Sequence, residues 1–567
     1  MTPRFLLAAL LVLAAPGALA AKPSPCPDGD RDGYTAKSCG GTDCNDADAT
    51  INPGASEICG NAVDENCDGS APACTSTGGH SATTQASITW SGYATCSQCH
   101  AADVTEMLGG VHYKWAGSAA EMQGGAAAQG KMDSTTAGAS ALNAYCVNIL
   151  GNWNTYSGCS ACHVSIGSKP GTGQDNAGNV DCLLCHGTGY TRTRVNGGLY
   201  QPSAGLDMTA IARGASKPLR KNCLQCHARG GGGDALKRGD LALASGTTGD
   251  ANYDVHMATT RGNLSCQSCH KVAGHRFPGR GVDLRPEDTT AEVACTDCHA
   301  SKATATGHAT AKVNDHVKRV ACQTCHIPVY AKNASDTTAS EATETHRDWS
   351  VSHFSTTMNR YEPTLTLANN VKPKYLFWNG YSWGNNLKDA AAIDPATGRY
   401  KISRPVGTIT DTTATPAKLY PFKYKTSYQP LDTTRNQLIA IDTGDYFQYG
   451  IPSQAVSKGL ANMGYTGDAW TYVTTDEYQL ITHQVPPKAN VLACTTCHEN
   501  TAQMSLLTLG YAKKAELSVV CTQCHSLKNY RGLTANHDRH VTSKRYDCNW
   551  CHTFSRPERG LTPDPTP

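Results

Sequence analysis

Sustained hydrophobic patterning occurs once along the chain, at its start. Arg4 precedes an unbroken apolar run from Phe5 to Leu13, and Ala-Leu-Ala follows at 18–20. Residues 1–20 therefore read as a secretory signal peptide with a small-residue cleavage site. The run is too short to span a bilayer, and no later stretch reaches 18 apolar residues, so no membrane span is expected in the mature chain. Beyond residue 20 both the helical and the strand period are weak. Short helices, long irregular loops and little sheet are the expectation: a mainly α chain. His537 and His540, in NHDRH, lie three apart and would share one helix face.

Composition divides the chain further. Residues 26–74 are rich in Cys and Asp, residues 75–95 form a Ser/Thr/Gly linker, and residues 327–493 are rich in Tyr, Trp and Pro. Only 39% of the 567 residues are hydrophobic and 7% aromatic, thin for a large protein core. No basic stripe appears, so nucleic acid is not an expected partner.

The cysteines change this picture. Of 27, twenty fall in ten copies of Cys-x-x-Cys-His. Seven lie in 96–326: Cys96/Cys99/His100, Cys159/Cys162/His163, Cys182/Cys185/His186, Cys223/Cys226/His227, Cys266/Cys269/His270, Cys295/Cys298/His299 and Cys322/Cys325/His326. Three follow the motif-free region: Cys494/Cys497/His498, Cys521/Cys524/His525 and Cys548/Cys551/His552. Each reads as a c-type haem attachment site, where two thiols take the vinyl groups and the histidine takes the iron. Random placement of these residues would give about 0.05 motifs. Zinc also takes paired cysteines, but does not require a histidine after every pair. Ten macrocycles would supply much of the missing apolar interior. Their propionates would turn a formal charge of +2 into a distinctly acidic holoprotein.

An electron-transfer haem needs a second strong ligand. Eleven histidines lie outside the motifs: His80, His112, His256, His275, His308, His316, His346, His353, His483, His537 and His540. That number is close to ten, so most are candidate distal ligands. A chain of such haems is a wire; an enzyme needs one iron that differs.

Residues 26–74 carry different chemistry. Asp28, Asp30, Asp32 and Gly33 match positions 1, 3, 5 and 6 of a calcium loop, whose alternating carboxylates wrap oxygen ligands round the ion. Position 12 is Cys39 rather than Glu, so the segment is a calcium loop without an EF-hand. The run Asp43 to Asp48, NPGASEICG at 52–60 and NCDG at 66–69 resemble thrombospondin type 3-like repeats and the metal-binding motif modules of secreted bacterial proteins. Asp43, Asp46, Asp48, Asp64 and Asp68 are further candidate calcium ligands. Six cysteines (26, 39, 44, 59, 67, 74) suit three disulfides in an oxidising compartment.

CLQCH at 223–227 runs into GGGG at 230–233 and then Lys237. Glycine lets backbone approach a macrocycle closely. From spacing alone the lysine reads as solvated. The order of GHS at 79–81, AYCVNI at 144–149, CSACH, VDCLLCH, GGGGDALKRGDL, YDVHM at 253–257, VACQTCHIP at 320–328, YLFWNG at 375–380, YPFKYKTSYQPLD at 420–432 and THQVPPKANVLACTTCH at 482–498 resembles the octahaem tetrathionate reductase family. The likeness spans residues from about 80 to 505. It implies a multihaem cytochrome c organised around packed haems, with an octahaem reductase-like domain at 96–505 and a dihaem extension at 506–567. It implies that the second haem, on Cys159 and Cys162, is the active one and that Lys237 binds its iron. If His163 also bound it, that site would be closed. The resemblance sets Cys146 beside the active haem, and implies His80, His112, His256, His275, His308, His316 and His483 as distal ligands, leaving His537 and His540 for the last two haems.

The expectation is thus an exported decahaem cytochrome, periplasmic or outside the cell, with a calcium module. It would reduce a small sulfur or nitrogen compound (tetrathionate, nitrite or hydroxylamine) at the lysine-ligated haem. Quinol-linked donors or other cytochromes would be its redox partners. The alternative is a non-catalytic conduit to a periplasmic or extracellular acceptor.

Overall fold

A computed structural model describes residues 28–30, 32–55, 63–70, 79–123, 128–130, 159–167, 169–170, 175–195, 199–281, 284, 287–411, 416–467, 469–498, 503–506, 508–510, 512–513, 533–546 and 552–553. The expected signal peptide at 1–20, Cys146, Cys521, Cys524, His525, Cys548 and Cys551 lie outside these residues, as do the side chains of Cys159, His498 and His552. The chain divides into two compact units, residues 1–77 and 78–567. Among the described residues no helix is long and apolar enough to cross a membrane.

The first unit is built of turns. A bridge joins Ala36 to Asp43, and a disulfide joins Cys44 to Cys67, their Cα atoms 5.5 Å apart. Cys39 is disulfide-bonded as well. Gly33 and Gly69 end two successive Asp-rich turns with φ of +99° and +94°, a conformation that suits glycine.

The second unit corrects the expected mainly α fold. Across the described residues of the chain helix makes up 26% and strand 23%, with large sheets. The motif-bearing part does consist of short helices, including α1 (Arg220–His227) and α2 (Cys322–His326). The motif-free part instead forms an eight-stranded sheet. Its strands are β1 (Thr343–Ser355), β2 (Arg360–Ala368), β3 (Lys374–Trp378), β4 (Ile393–Asp394), β5 (Arg399–Lys401), β6 (Lys418–Asp432), β7 (Gln437–Leu438) and β8 (Trp470–Leu480). The order is β4-β5-β8-β6-β1-β2, with β7 and β3 also pairing β6.

β6 is the spine. It pairs antiparallel with β8 from Phe422↔Leu480 to Asp432↔Trp470, and parallel with β1 at Thr426↔His346. Successive side chains point to opposite faces. Phe422 packs on one face with Tyr420, Tyr478 and Leu480. The other face carries Lys423, Lys425, Ser427 and Gln429, all fully buried, and ends in Leu431. Leu431 joins a core with Trp349, Ile402, Ile441, Tyr446 and Val456. α3 (Thr443–Tyr449) and α4 (Pro452–Asn462) close that core. Asp442 caps α3 by accepting from Asp445 N at 2.9 Å, and Pro452 opens α4 at a position where no N–H is needed.

Candidate functional site

The described motifs sit on short helical turns, which put the two thiols on one side with the histidine beside them. They converge on one connected cavity of about 3660 Å³. A pocket for one small ligand occupies ~300–1,000 Å³, so this space suits several large groups. Thiols of the first eight motifs line it, as do His80, His112, His256, His275, His308, His316 and His483.

The histidines meet in pairs. Ring centroids are 6.1 Å apart for His80 and His100, 5.9 Å for His112 and His227, and 6.4 Å for His275 and His186. They are 6.1 Å apart for His256 and His299, and 6.4 Å for His483 and His270. Two imidazoles on one metal, each nitrogen ~2 Å from it, would have centroids about 6.2 Å apart. Direct ring packing would give shorter and more varied separations. These residues therefore fit two histidines across one haem iron. His308 is a neighbour of His326: after burial its charge is the largest influence lowering that histidine.

The outer nitrogens are held as well. Nδ1 of His186 donates to Ser216 O at 2.8 Å and that of His270 to Pro278 O at 3.0 Å. His100 donates to Asp103 at 3.0 Å, His275 to Glu106 at 3.2 Å, and His483 to the buried Asp240 at 3.3 Å. Each leaves Nε2 directed at the cavity, and such partners fix the ring of a metal ligand. Burial would raise Asp240, but Arg238 and His483 hold it well below the usual carboxylate range. Burial pushes His227 down to about 3, keeping the neutral, ligating form. None of Asp103, Glu106, Asp240 or Ser216 stood out in the sequence, because no spacing links them to their histidines.

Contacts between motif sulfurs trace which attachment sites adjoin. Cys96 adjoins Cys182, Cys162 adjoins Cys226, Cys223 adjoins Cys266, and Cys295 adjoins Cys322. Cys298 is also near enough to Cys269, and Cys497 to Cys325, for its charge to raise that thiol after burial. The fourth motif touches both the second and the fifth.

The second motif has a different setting. His163 is fully buried, its ring centroid 3.5 Å from that of Trp115 and its Nδ1 3.3 Å from Tyr113 O. Burial holds it well below the usual histidine range. Arg192, paired with the buried Asp181, donates to Ser160 O at 2.9 Å and His163 O at 2.8 Å, fixing this turn. Arg192 and Arg229 supply positive charge beside Cys162.

Beyond α1, Gly231 and Gly232 take φ of +89° and +109°, so the run is needed for its backbone rather than its mobility. A Cβ built on Gly230 would lie 3.5 Å from Cβ and Cδ of Lys237 and 3.9 Å from Cys226 O. Lys237 thus runs along the Cys226 end of α1 and lines the cavity.

Other candidates fall elsewhere. His346 and His353 sit on β1, outside the cavity lining. His537 ends a helix and His540 lies in a π-helical turn, so the two are not on one α-helical face. In the first unit, ligand atoms of Asp28, Asp30 and Asp32 lie within 4.8 Å of one another, as do those of Asp30, Asp43 and Asp46. Buried oxygens of Asp30, Asp32 and Asp43 have no hydrogen-bond partner, which fits a cation among them. Asp48, Asp64 and Asp68 are outside these groups among the described residues; Asp64 accepts from Gly69 N at 2.8 Å.

Comparison with known proteins agrees with this architecture. A family model described as "Cytochrome c bacterial" matches residues 332–501, and one described as "Putative metal-binding motif" matches 43–71. An uncharacterized protein of Archaeoglobus fulgidus is 26% identical over 241 residues, covering 34% of this chain and 77% of its own. The crystal structure of octaheme cytochrome c from Shewanella oneidensis superimposes with a TM-score of 0.62 at 28% identity, covering 78% of this chain and 95% of its own. The attachment motifs, the histidine pairs and these likenesses together make the chain a multihaem c-type cytochrome.

Proposed function

We propose that this cytochrome is a reductase whose active haem hangs on Cys159 and Cys162 and takes Lys237 as its iron ligand. Haem c supplies one-electron chemistry at iron. The observation that carries the reading is convergence on Cys226: Lys237 lies along its end of α1, and its thiol meets Cys162. The other described pairs offer histidine on both sides, so they suit electron supply. Arg229 favours an anion near the second motif, in keeping with tetrathionate or nitrite; hydroxylamine is the neutral candidate. Cys146 is proposed to adjoin this site. His80 with His100, His112 with His227, His275 with His186, His256 with His299, His483 with His270 and His308 with His326 are the proposed axial pairs. His316 is left for the eighth haem, and His537 and His540 for the ninth and tenth.

The protein would act after export, in the periplasm or outside the cell, with quinol-linked donors or other cytochromes as partners. The test is anaerobic oxidation of reduced methyl viologen by the holoprotein with each of the three substrates. Turnover with one of them is expected; none with any would favour a second reading, that of a conduit. The run of neighbouring sulfurs from the second motif through the fourth to the eighth is what favours that alternative.

Calcium is the proposed ion of the N-terminal module, held by Asp28, Asp30, Asp32, Asp43 and Asp46. Uncompensated, these carboxylates repel one another. Chelation of the holoprotein is expected to lower the unfolding temperature of the module and leave the haem spectrum unchanged. Dialysis against calcium that leaves no bound ion would contradict this assignment.

A further inference from the structure

We propose that Lys423 is a positioning residue that aims Lys237 into the cavity. The proposal rests on the reading of Lys237 as an iron ligand. Lys423 lies on β6, 186 residues from Lys237, and is fully buried. Its Nζ donates to Leu236 O at 2.9 Å, Lys237 O at 2.8 Å and Thr343 Oγ1 at 2.6 Å. The Thr343 hydroxyl is itself committed, to Leu236 O at 2.9 Å or Ala235 O at 3.1 Å. Burial pushes the Lys423 amine well down, and three acceptors, matching the three donors of a protonated lysine, offset that cost. A buried ammonium is costly unless so satisfied, and its partners are then fixed in place.

What it fixes is the backbone that carries Lys237. Leu236 O accepts from Glu344 N at 3.2 Å as well. Arg347 donates to Gly231 O at 2.9 Å and pairs with the buried Glu344, which also binds Lys425. Both ends of the glycine turn are thus tied to one sheet. Ala235, fully buried with φ of +59°, makes the bend between them. Carbonyls 236 and 237 are drawn toward the sheet, while the Lys237 side chain runs over Gly230 into the cavity. A polar sheet face under a haem-bearing unit is otherwise hard to account for, since apolar residues of similar volume would pack there at lower cost.

The test compares holoprotein variants by the near-infrared magnetic circular dichroism band of the lysine-ligated iron, distinct from those of bis-histidine irons, with haem content measured in parallel. Lys237→Ala should abolish the band. Lys423→Met should reduce it about tenfold at unchanged haem content, as loss of charge-assisted hydrogen bonds implies. Ser427→Ala, four residues along the same buried face and bonded to Arg347 O rather than the loop, should leave it intact. If Lys423→Met does not fold, Thr343→Val is expected to weaken the band and Thr343→Ser to restore it. A wild-type band in Lys423→Met, or in Thr343→Val, with the band lost in Lys237→Ala overturns the positioning role alone. A band that survives Lys237→Ala overturns the ligand reading and the proposal with it.

Discussion

Lys237→Ala is expected to lower turnover by a hundredfold or more, ~10² being the upper end of what loss of a mere outer-shell partner of a metal costs. Haem content should be unchanged, because no motif cysteine or histidine is touched. The expected effect is this large because the amine is proposed to act at the reacting iron, and because few groups could replace it. His163 packs against Trp115, and Arg192 is engaged with Asp181 and the carbonyls of Ser160 and His163. Steady-state assay with reduced viologen, alongside haem content, checks the prediction. A loss of turnover that tracks a loss of haem would instead point to misfolding. Unchanged turnover would remove Lys237 from the site.

His112→Ala should show a different signature. Its ring faces His227 at 5.9 Å and rests on Phe277 at 4.1 Å. The fourth motif touches the second through Cys226 and the fifth through Cys223, so electrons bound for the active haem are expected to pass it. Removing its distal ligand should lower kcat about tenfold and leave KM unchanged, since no substrate contact is lost. One haem per chain should become high-spin. His80→Ala, at the first motif, is expected to have a smaller effect on kcat. A raised KM in His112→Ala would place His112 at the substrate, and an unchanged kcat would take the fourth haem out of the path.

The Cys-x-x-Cys-His motifs were legible because covalent attachment of haem c demands a fixed local pattern. Pairing was not, since His112 reaches His227 and His483 reaches His270 across long stretches of chain. The sheet was hidden for a related reason. In β6, Phe422 and Tyr424 alternate with Lys423 and Lys425, a strand period, yet the lysines are buried rather than solvated. Read by hydropathy, such a strand has one apolar face and passes for an irregular surface segment. Its polar face has partners only in tertiary structure, in Glu344, Thr343 and the backbone at 236–237. The glycines at 231 and 232 were visible, but their role depends on positive φ and on the lysine that folds back beside them.

The most direct single measurement is the near-infrared magnetic circular dichroism spectrum of the fully oxidised wild-type holoprotein, with haem content determined on the same sample. One lysine-ligated iron per chain, spectrally distinct from the bis-histidine irons, is the predicted result. A spectrum containing only bis-histidine irons would contradict a distinct second haem and make the protein a conduit.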